Sequence, residues 1–231
     1  MEEHELKESE DAHLWIKDHR KDLIKKFVPE NTPTDSYPTT IFMAGSPGAG
    51  KTEFSRRLAE SFKEKPVIID ADEIRKFVSG YKGKKAYIFQ KAATKGVNIL
   101  YDYACKMGLN IILDGTFAYN DALGNIDHSL KHNRNVEIYF LYQDPLLSWA
   151  YTKKRELKEF RNVPKKVFIK AYIKSIDNVN NAKKLYGNKI KLNIVVKNFQ
   201  QNLDALELNK DKVDYYIKRM YTTIELEKLL D

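Results

Sequence analysis

The chain has one cysteine, Cys105, among 231 residues, so no disulfide can form within it. Cys105 sits in the helically spaced run Tyr101-Asp102-Tyr103-Ala104-Cys105 and reads as a buried, inert thiol rather than a nucleophile. No apolar run approaches the roughly 18 residues that a membrane span requires. The start from Met1 to Asp11 is acidic and polar and has no secretory apolar region, which points to the cytoplasm. Histidine is scarce, five in all. His128 and His132 share helical spacing but have no third ligand in view, so they read as surface residues rather than a zinc site. Internal repeats and low-complexity tracts are absent, and so is an aromatic-rich RNA-binding signature.

What remains is an ordinary globular composition, 42% hydrophobic and 31% charged. A chain of this length buries roughly 70% of its unfolded surface, enough for a full core. Lys and Arg total 40 against 32 Asp and Glu, a net charge of +8. That balance suits an anionic substrate such as a nucleotide, although much of the lysine reads as solvated surface.

One run carries a specific chemistry. Gly45-Ser46-Pro47-Gly48-Ala49-Gly50-Lys51-Thr52 fits the phosphate-binding loop G-x-x-x-x-G-K-[ST] at every fixed position. Its glycines let backbone N–H groups converge on phosphate oxygens. Lys51 has the reach for the outer phosphates, and the Thr52 hydroxyl suits Mg²⁺. The flanks agree: Thr40 to Ala44 reads as a buried strand, and Thr52 to Phe62 as a helix with Phe54, Leu58 and Phe62 on one face. A helix N-terminus under the loop adds a favourable dipole for phosphate. The pattern predicts binding of a nucleoside triphosphate, ATP with Mg²⁺.

Strand and helix patterns alternate from residue 40 onward. Apolar runs at Val67–Ile69, Leu109–Leu113, Val136–Tyr142 and Ile190–Val196 read as further strands. Helices are expected over about 85–107, 119–132, 144–160 and 164–186. This predicts an α/β P-loop NTPase fold, a doubly wound, mostly parallel sheet of about five strands flanked by helices. Residues 1–38 read as an amphipathic helix, 12–28, followed by a proline-containing extended connection. Residues 39–200 form the core, with a lid at about 151–166. Residues 201–231 read as a helical tail.

Carboxylates at the C-terminal ends of parallel strands face the crevice where doubly wound sheets bind ligands. The second strand ends in Asp70-Ala71-Asp72-Glu73-Ile74-Arg75, and the third in Leu113-Asp114-Gly115-Thr116. Phosphoryl transfer to a hydroxyl needs an acid that orients and deprotonates it. At least one of Asp70 and Asp72 fits that role, while either also suits capping of the helix that follows. Asp114 suits Mg²⁺ positioning or substrate contact. Arg155 and Arg161 flank the short segment closed by Pro164, and arginine grips phosphates in a bidentate manner. A lid carrying them can stabilise charge on the transferring group. The neighbouring Lys153, Lys154, Lys158, Lys165 and Lys166 read as solvated.

Taken together, these stretches resemble the zeta-toxin family of P-loop kinases from about Ile41 to Asn198. The resemblance rests on Gly45 to Thr52, Ile69 to Asp72, Asp114-Gly115-Thr116, and Arg155 with Arg161-Asn162-Val163-Pro164-Lys165. It implies ATP-dependent phosphorylation of the amino-sugar 3′-hydroxyl of UDP-N-acetylglucosamine, and a small helical antitoxin as partner. It also implies Asp72 as base, Lys51 and Thr52 on ATP and Mg²⁺, Arg155 and Arg161 on the phosphates, and Asp114 and Thr116 on the substrate. Two departures fall on the sugar-nucleotide side. Asp114 replaces the family's usual glutamate, and the position of a second family glutamate falls near Asn98, with Asp102 one turn later. Two other readings stay open: a kinase for another hydroxyl, such as a polynucleotide 5′ end, and a nucleotide-dependent regulator without transfer activity. The Arg161 to Lys165 stretch argues against a nucleic-acid acceptor.

Overall fold

The computed structural model describes residues 1–83, 85–159, 162–198 and 203–231. Two N-terminal helices, α1 (Glu3–Asp18) and α2 (Arg20–Phe27), precede the first strand. The α/β core then runs β1 (Thr39–Ala44), α3 (Lys51–Glu60), β2 (Val67–Asp70), α4 (Ala71–Phe77), α5 (Gln90–Lys106), β3 (Ile111–Asp114), α6 (Ala122–Lys131), β4 (Asn135–Tyr142), α7 (Pro145–Glu159) and α8 (Lys165–Tyr186). It ends with β5 (Lys191–Asn198), β6 (Leu203–Glu207) and α9 (Thr223–Leu229).

Among the described residues the strands form one sheet in the order β2-β3-β1-β4-β5-β6. The first five are parallel, and β6 pairs antiparallel with β5. The alternation of side chains along β1 divides the core. Ile41 and Met43 face one side and pack with Phe54, Leu58 and Phe62 around α3. Phe42 faces the other, where its ring meets Tyr101 and Phe117. Helices therefore cover both faces, as a parallel sheet requires. Cys105 is buried, and burial pushes its thiol up to about 11, which keeps it in the unreactive protonated form near neutral pH.

Two expectations at the ends of the chain need correction. The tail 201–231 is not mainly helical. It opens with β6, then forms a 3₁₀ turn at Asp214–Tyr216 and only the short α9. Val213, Ile217 and Tyr221 are spaced like a helix and are buried, but Ile217 is extended and the Thr222 side chain accepts from the Glu225 N–H to start a new helix. The N-terminal helix starts earlier than residue 12, on a capping box between Glu2 and Glu5, and breaks at His19. There the imidazole Nδ1 donates to the Trp15 carbonyl at 2.9 Å and the ring stacks on Trp15.

Both N-terminal helices pack on the domain. A Cβ on Gly96 of α5 would meet Ile74, Ile16 and Leu23 side chains at 2.5, 3.5 and 3.6 Å, so the glycine lets α1 and α2 seat closely. Glu5 anchors the other end of α1. Its carboxylate accepts from the Tyr87 hydroxyl at 2.6 Å and the Lys85 ammonium at 3.0 Å.

The Tyr87 hydroxyl and Lys85 hold the Glu5 carboxyl down from its ordinary 4.5 to about 2. Folding thus favours the ionised form, so this contribution is complete above 4.5 and is lost as pH falls through about 2. In urea titrations, the stability gap between wild type and Glu5→Gln should be constant near neutral pH and close across that acidic interval. A gap that stays flat there contradicts the assignment.

Candidate active site

Steric closeness shapes the phosphate loop. Gly45 has φ +123° and Gly48 φ +79°. A Cβ on Gly45 would stand 2.3 Å from the Leu141 carbonyl oxygen of β4, and one on Gly48 would stand 2.2 Å from the Ser148 carbonyl oxygen of α7. The loop backbone is therefore pressed between the fourth strand and the helix that follows it. The Gly45 N–H donates to the buried Ser175 hydroxyl of α8 at 2.7 Å, with the Thr116 carbonyl 3.3 Å away. Lys51 is buried and curls back, donating to the carbonyls of Gly45 at 3.1 Å and Ser46 at 2.7 Å.

The acids approach from the other side of β1. Asp70 and Asp114 are register partners at the C-terminal ends of β2 and β3. Asp70 caps α4 by accepting from the Asp72 N–H at 2.8 Å, which settles which of the two acids is the cap. The Asp72 carboxylate instead pairs with Arg75, whose other terminal nitrogen donates to Gln90 at 2.7 Å. Asp114 accepts from Ser55, one turn into α3 from Thr52, at 3.1 Å.

These groups line one cleft of about 390 Å³, a size suited to a small ligand. Of the residues expected from sequence, Pro47, Gly48, Gly50, Lys51, Thr52, Asp70, Asp72, Asp114, Thr116 and Arg155 line it. Gly45, Ser46 and Ala49 lie beneath, buried in the body of the loop. Arg161 lies outside the described residues. Asn98 is exposed on α5 and does not line the cleft, and neither does Asp102, which faces His128 Nε2 at 3.5 Å. No residue of the segment 1–38 lines the cleft.

Several lining residues were missed. Lys154 belongs to the cleft wall with Tyr151 and Arg155, one helical turn apart on α7. Lys197 lines it from β5. The strand-end rule that singled out Asp114 applies equally to Lys197. The sheet order gives the cleft two sides: acids from the ends of β2 and β3, cations from α7 and β5. Lys165, at the start of α8, is structural. Its ammonium donates to the Leu230 carbonyl after α9, and Trp149 of α7 donates to the Asp231 carbonyl at 2.8 Å. The segment carrying α9 thus braces both α7 and α8.

The donor set fits a hydrated Mg²⁺ carried in with phosphates. Among the described residues no group of three or more His, Cys, Asp or Glu could hold a metal unaided. Mg²⁺ in such sites needs only one or two protein oxygens besides phosphate and water, and the Thr52 hydroxyl and nearby carboxylates supply them.

Comparison with known proteins agrees with this architecture. The family described as "Zeta toxin" matches residues 24–224. A solved structure from the PezAT chromosomal toxin–antitoxin system of Streptococcus pneumoniae is 18% identical with a TM-score of 0.70, over 94% of this chain and 92% of that one. The AvrRxo1-ORF1:AvrRxo1-ORF2 complex, solved with ATP, is 11% identical with a TM-score of 0.63, over 94% of this chain and 72% of that one. At such identities the likeness shows the fold. No curated protein matches the sequence.

Gly48→Ala should cost about 1–3 kcal/mol and weaken ATP binding, because the new methyl must displace α7 or the loop. Thermal unfolding and ATP calorimetry measure both. A variant with wild-type stability and affinity contradicts the close-approach account.

Proposed function

Because this chain belongs to the zeta-toxin family, we propose that it transfers the γ-phosphoryl group of ATP to a sugar hydroxyl of UDP-N-acetylglucosamine or a related sugar nucleotide. The observation that carries the reading is the shared cleft of the phosphate loop, Asp72, Asp114 and Arg155. The family and the fold make the chain an ATP-dependent P-loop phosphotransferase, and the finer assignments are our own.

The loop amides and Lys51 hold the triphosphate at the N-terminus of α3. Asp72, its orientation fixed by Arg75, takes the proton of the acceptor hydroxyl. The oxygen then attacks the γ-phosphorus in line, the bond to the bridging oxygen breaks, and ADP departs. Thr52 would hold Mg²⁺, which would supply neutralisation of charge on the phosphate oxygens. Arg155, and Arg161 from its place in the lid sequence, stabilise the same charge. Thr116 and Asp114 contact the acceptor.

The two-sided cleft supports this division of labour: the triphosphate lies toward the cations, the hydroxyl acceptor toward the acids. The polynucleotide alternative loses support from Arg75. It is only 5% exposed and is engaged with Asp72 and Gln90, so it is poorly placed to grip a phosphate of the acceptor. The exposed Asn98 favours an acceptor differing in detail from the family's. By analogy with the toxin–antitoxin neighbour, an antitoxin is the expected partner; that it is small and helical, and that the cytoplasm is the place of action, are part of the proposal. No helix of the described residues is long and apolar enough to cross a membrane.

Mass spectrometry of the protein incubated with Mg-ATP and UDP-N-acetylglucosamine should reveal a product heavier by one phosphoryl group. Asp72→Asn should lower its rate about 10²–10⁴-fold. Equal product from the variant removes Asp72 as base, and no product from wild type removes this acceptor.

A further inference from the structure

Besides Lys51 and Lys154, the cleft holds a further lysine that no loop motif specifies. Lys197 stands near the end of β5 and lines the cleft wall. From a Cβ position built on Gly50, its Cε lies 3.2 Å away and its Nζ 3.6 Å, with Glu53 Oε2 at 3.7 Å. Its ammonium therefore sits at Gly50, where the chain enters α3, and an acid of that helix approaches the same glycine. Lys51 occupies the opposite end, because its Nζ is bonded to the carbonyls of Gly45 and Ser46, where the loop begins. Two lysines thus bracket the loop, one at each end.

An anion chain laid along the loop meets them in order. By the loop pattern, Lys51 serves the outer phosphates. The acids of β2 and β3 crowd the opposite flank, so the nucleoside end leaves on the side of β4 and β5. We infer that Lys197 is a phosphate-binding residue for the inner phosphates of the nucleotide, acting at the nucleoside end of the loop. This rests on the nucleotide-binding reading above and adds to it a contact from the far end of the fold. Its chemistry is a charge-assisted hydrogen bond from a lysine point charge to phosphate oxygen.

The position makes a distinctive prediction. ATP and ADP share their inner phosphates, so loss of Lys197 should weaken both alike. Calorimetric titration with Mg-ATP and Mg-ADP compares wild type, Lys197→Met, which keeps the stem against Gly50, and Lys197→Arg, which keeps the charge. Lys197→Met should bind both nucleotides about tenfold more weakly, with the deficit shrinking as salt rises, and Lys197→Arg should recover most of it. Unchanged affinities in Lys197→Met overturn the inference, and so does a deficit confined to ATP, which would move Lys197 to the outer phosphate. A deficit that Lys197→Arg does not relieve also overturns it, since it would point to packing rather than charge. Wild type that binds neither nucleotide defeats the underlying reading, a result distinct from the other three.

Discussion

The structure depends on a backbone contact that leaves no room for side chains. The phosphate loop runs so close to the Leu141 and Ser148 carbonyls that neither Gly45 nor Gly48 can carry a Cβ without displacing something. This contact fixes the loop against β4 and α7, and the Ser175 hydroxyl fixes its first amide from α8. Holding a loop in place before an anion arrives is the property that makes such loops effective anion sites. The same contact couples α7 to the loop, since that helix cannot shift without changing the space around Gly48.

The order of the sheet does the rest. With β1 in the middle, strands β3 and β2 lie on one side and β4 and β5 on the other. All five are parallel, so their C-terminal ends meet at one edge. Each contributes what its terminal residues carry: acids from β2 and β3, the loop from β1, the lid helix after β4, and a lysine from β5. In the proposed reading, a nucleotide and a hydroxyl acceptor take opposite walls of that one cleft. The N-terminal helices lie away from it, packed through Ile16 and Leu23 onto α5. α9 contributes indirectly, by bracing α7 through Trp149 and α8 through Lys165.

Much of this was legible in the sequence where a residue type has a fixed mechanical reason. The loop glycines, Lys51 and Thr52 are spaced by backbone geometry, and the parallel strands stand out because burial on both faces makes them short apolar runs. Other features needed the fold. Whether Asp70 or Asp72 caps α4 depends on a single hydrogen bond. Asp102 could have served the cleft in another helical register, yet it faces His128 on α6. The edge strand β6 escaped because Leu203-Asp204-Ala205-Leu206-Glu207 lacks clean alternation, and an edge strand need bury only part of itself. The tail misled because Val213, Ile217 and Tyr221 recur every four residues while the chain between them is a single 3₁₀ turn and then irregular. Lys197 was passed over because its partner, Gly50, lies at the other end of the core sequence.

We propose, as the central claim, that nucleotide and acceptor occupy opposite walls of the cleft. It is tested most directly by a crystal structure with Mg²⁺ and a non-hydrolysable ATP analogue. The account predicts phosphates seated on the amides between Gly45 and Thr52, with the nucleoside over β4 and β5 and the Asp72 carboxylate facing the γ-phosphate from the other wall. A nucleoside lying over β2 and β3, or phosphates bound outside the loop, would contradict it.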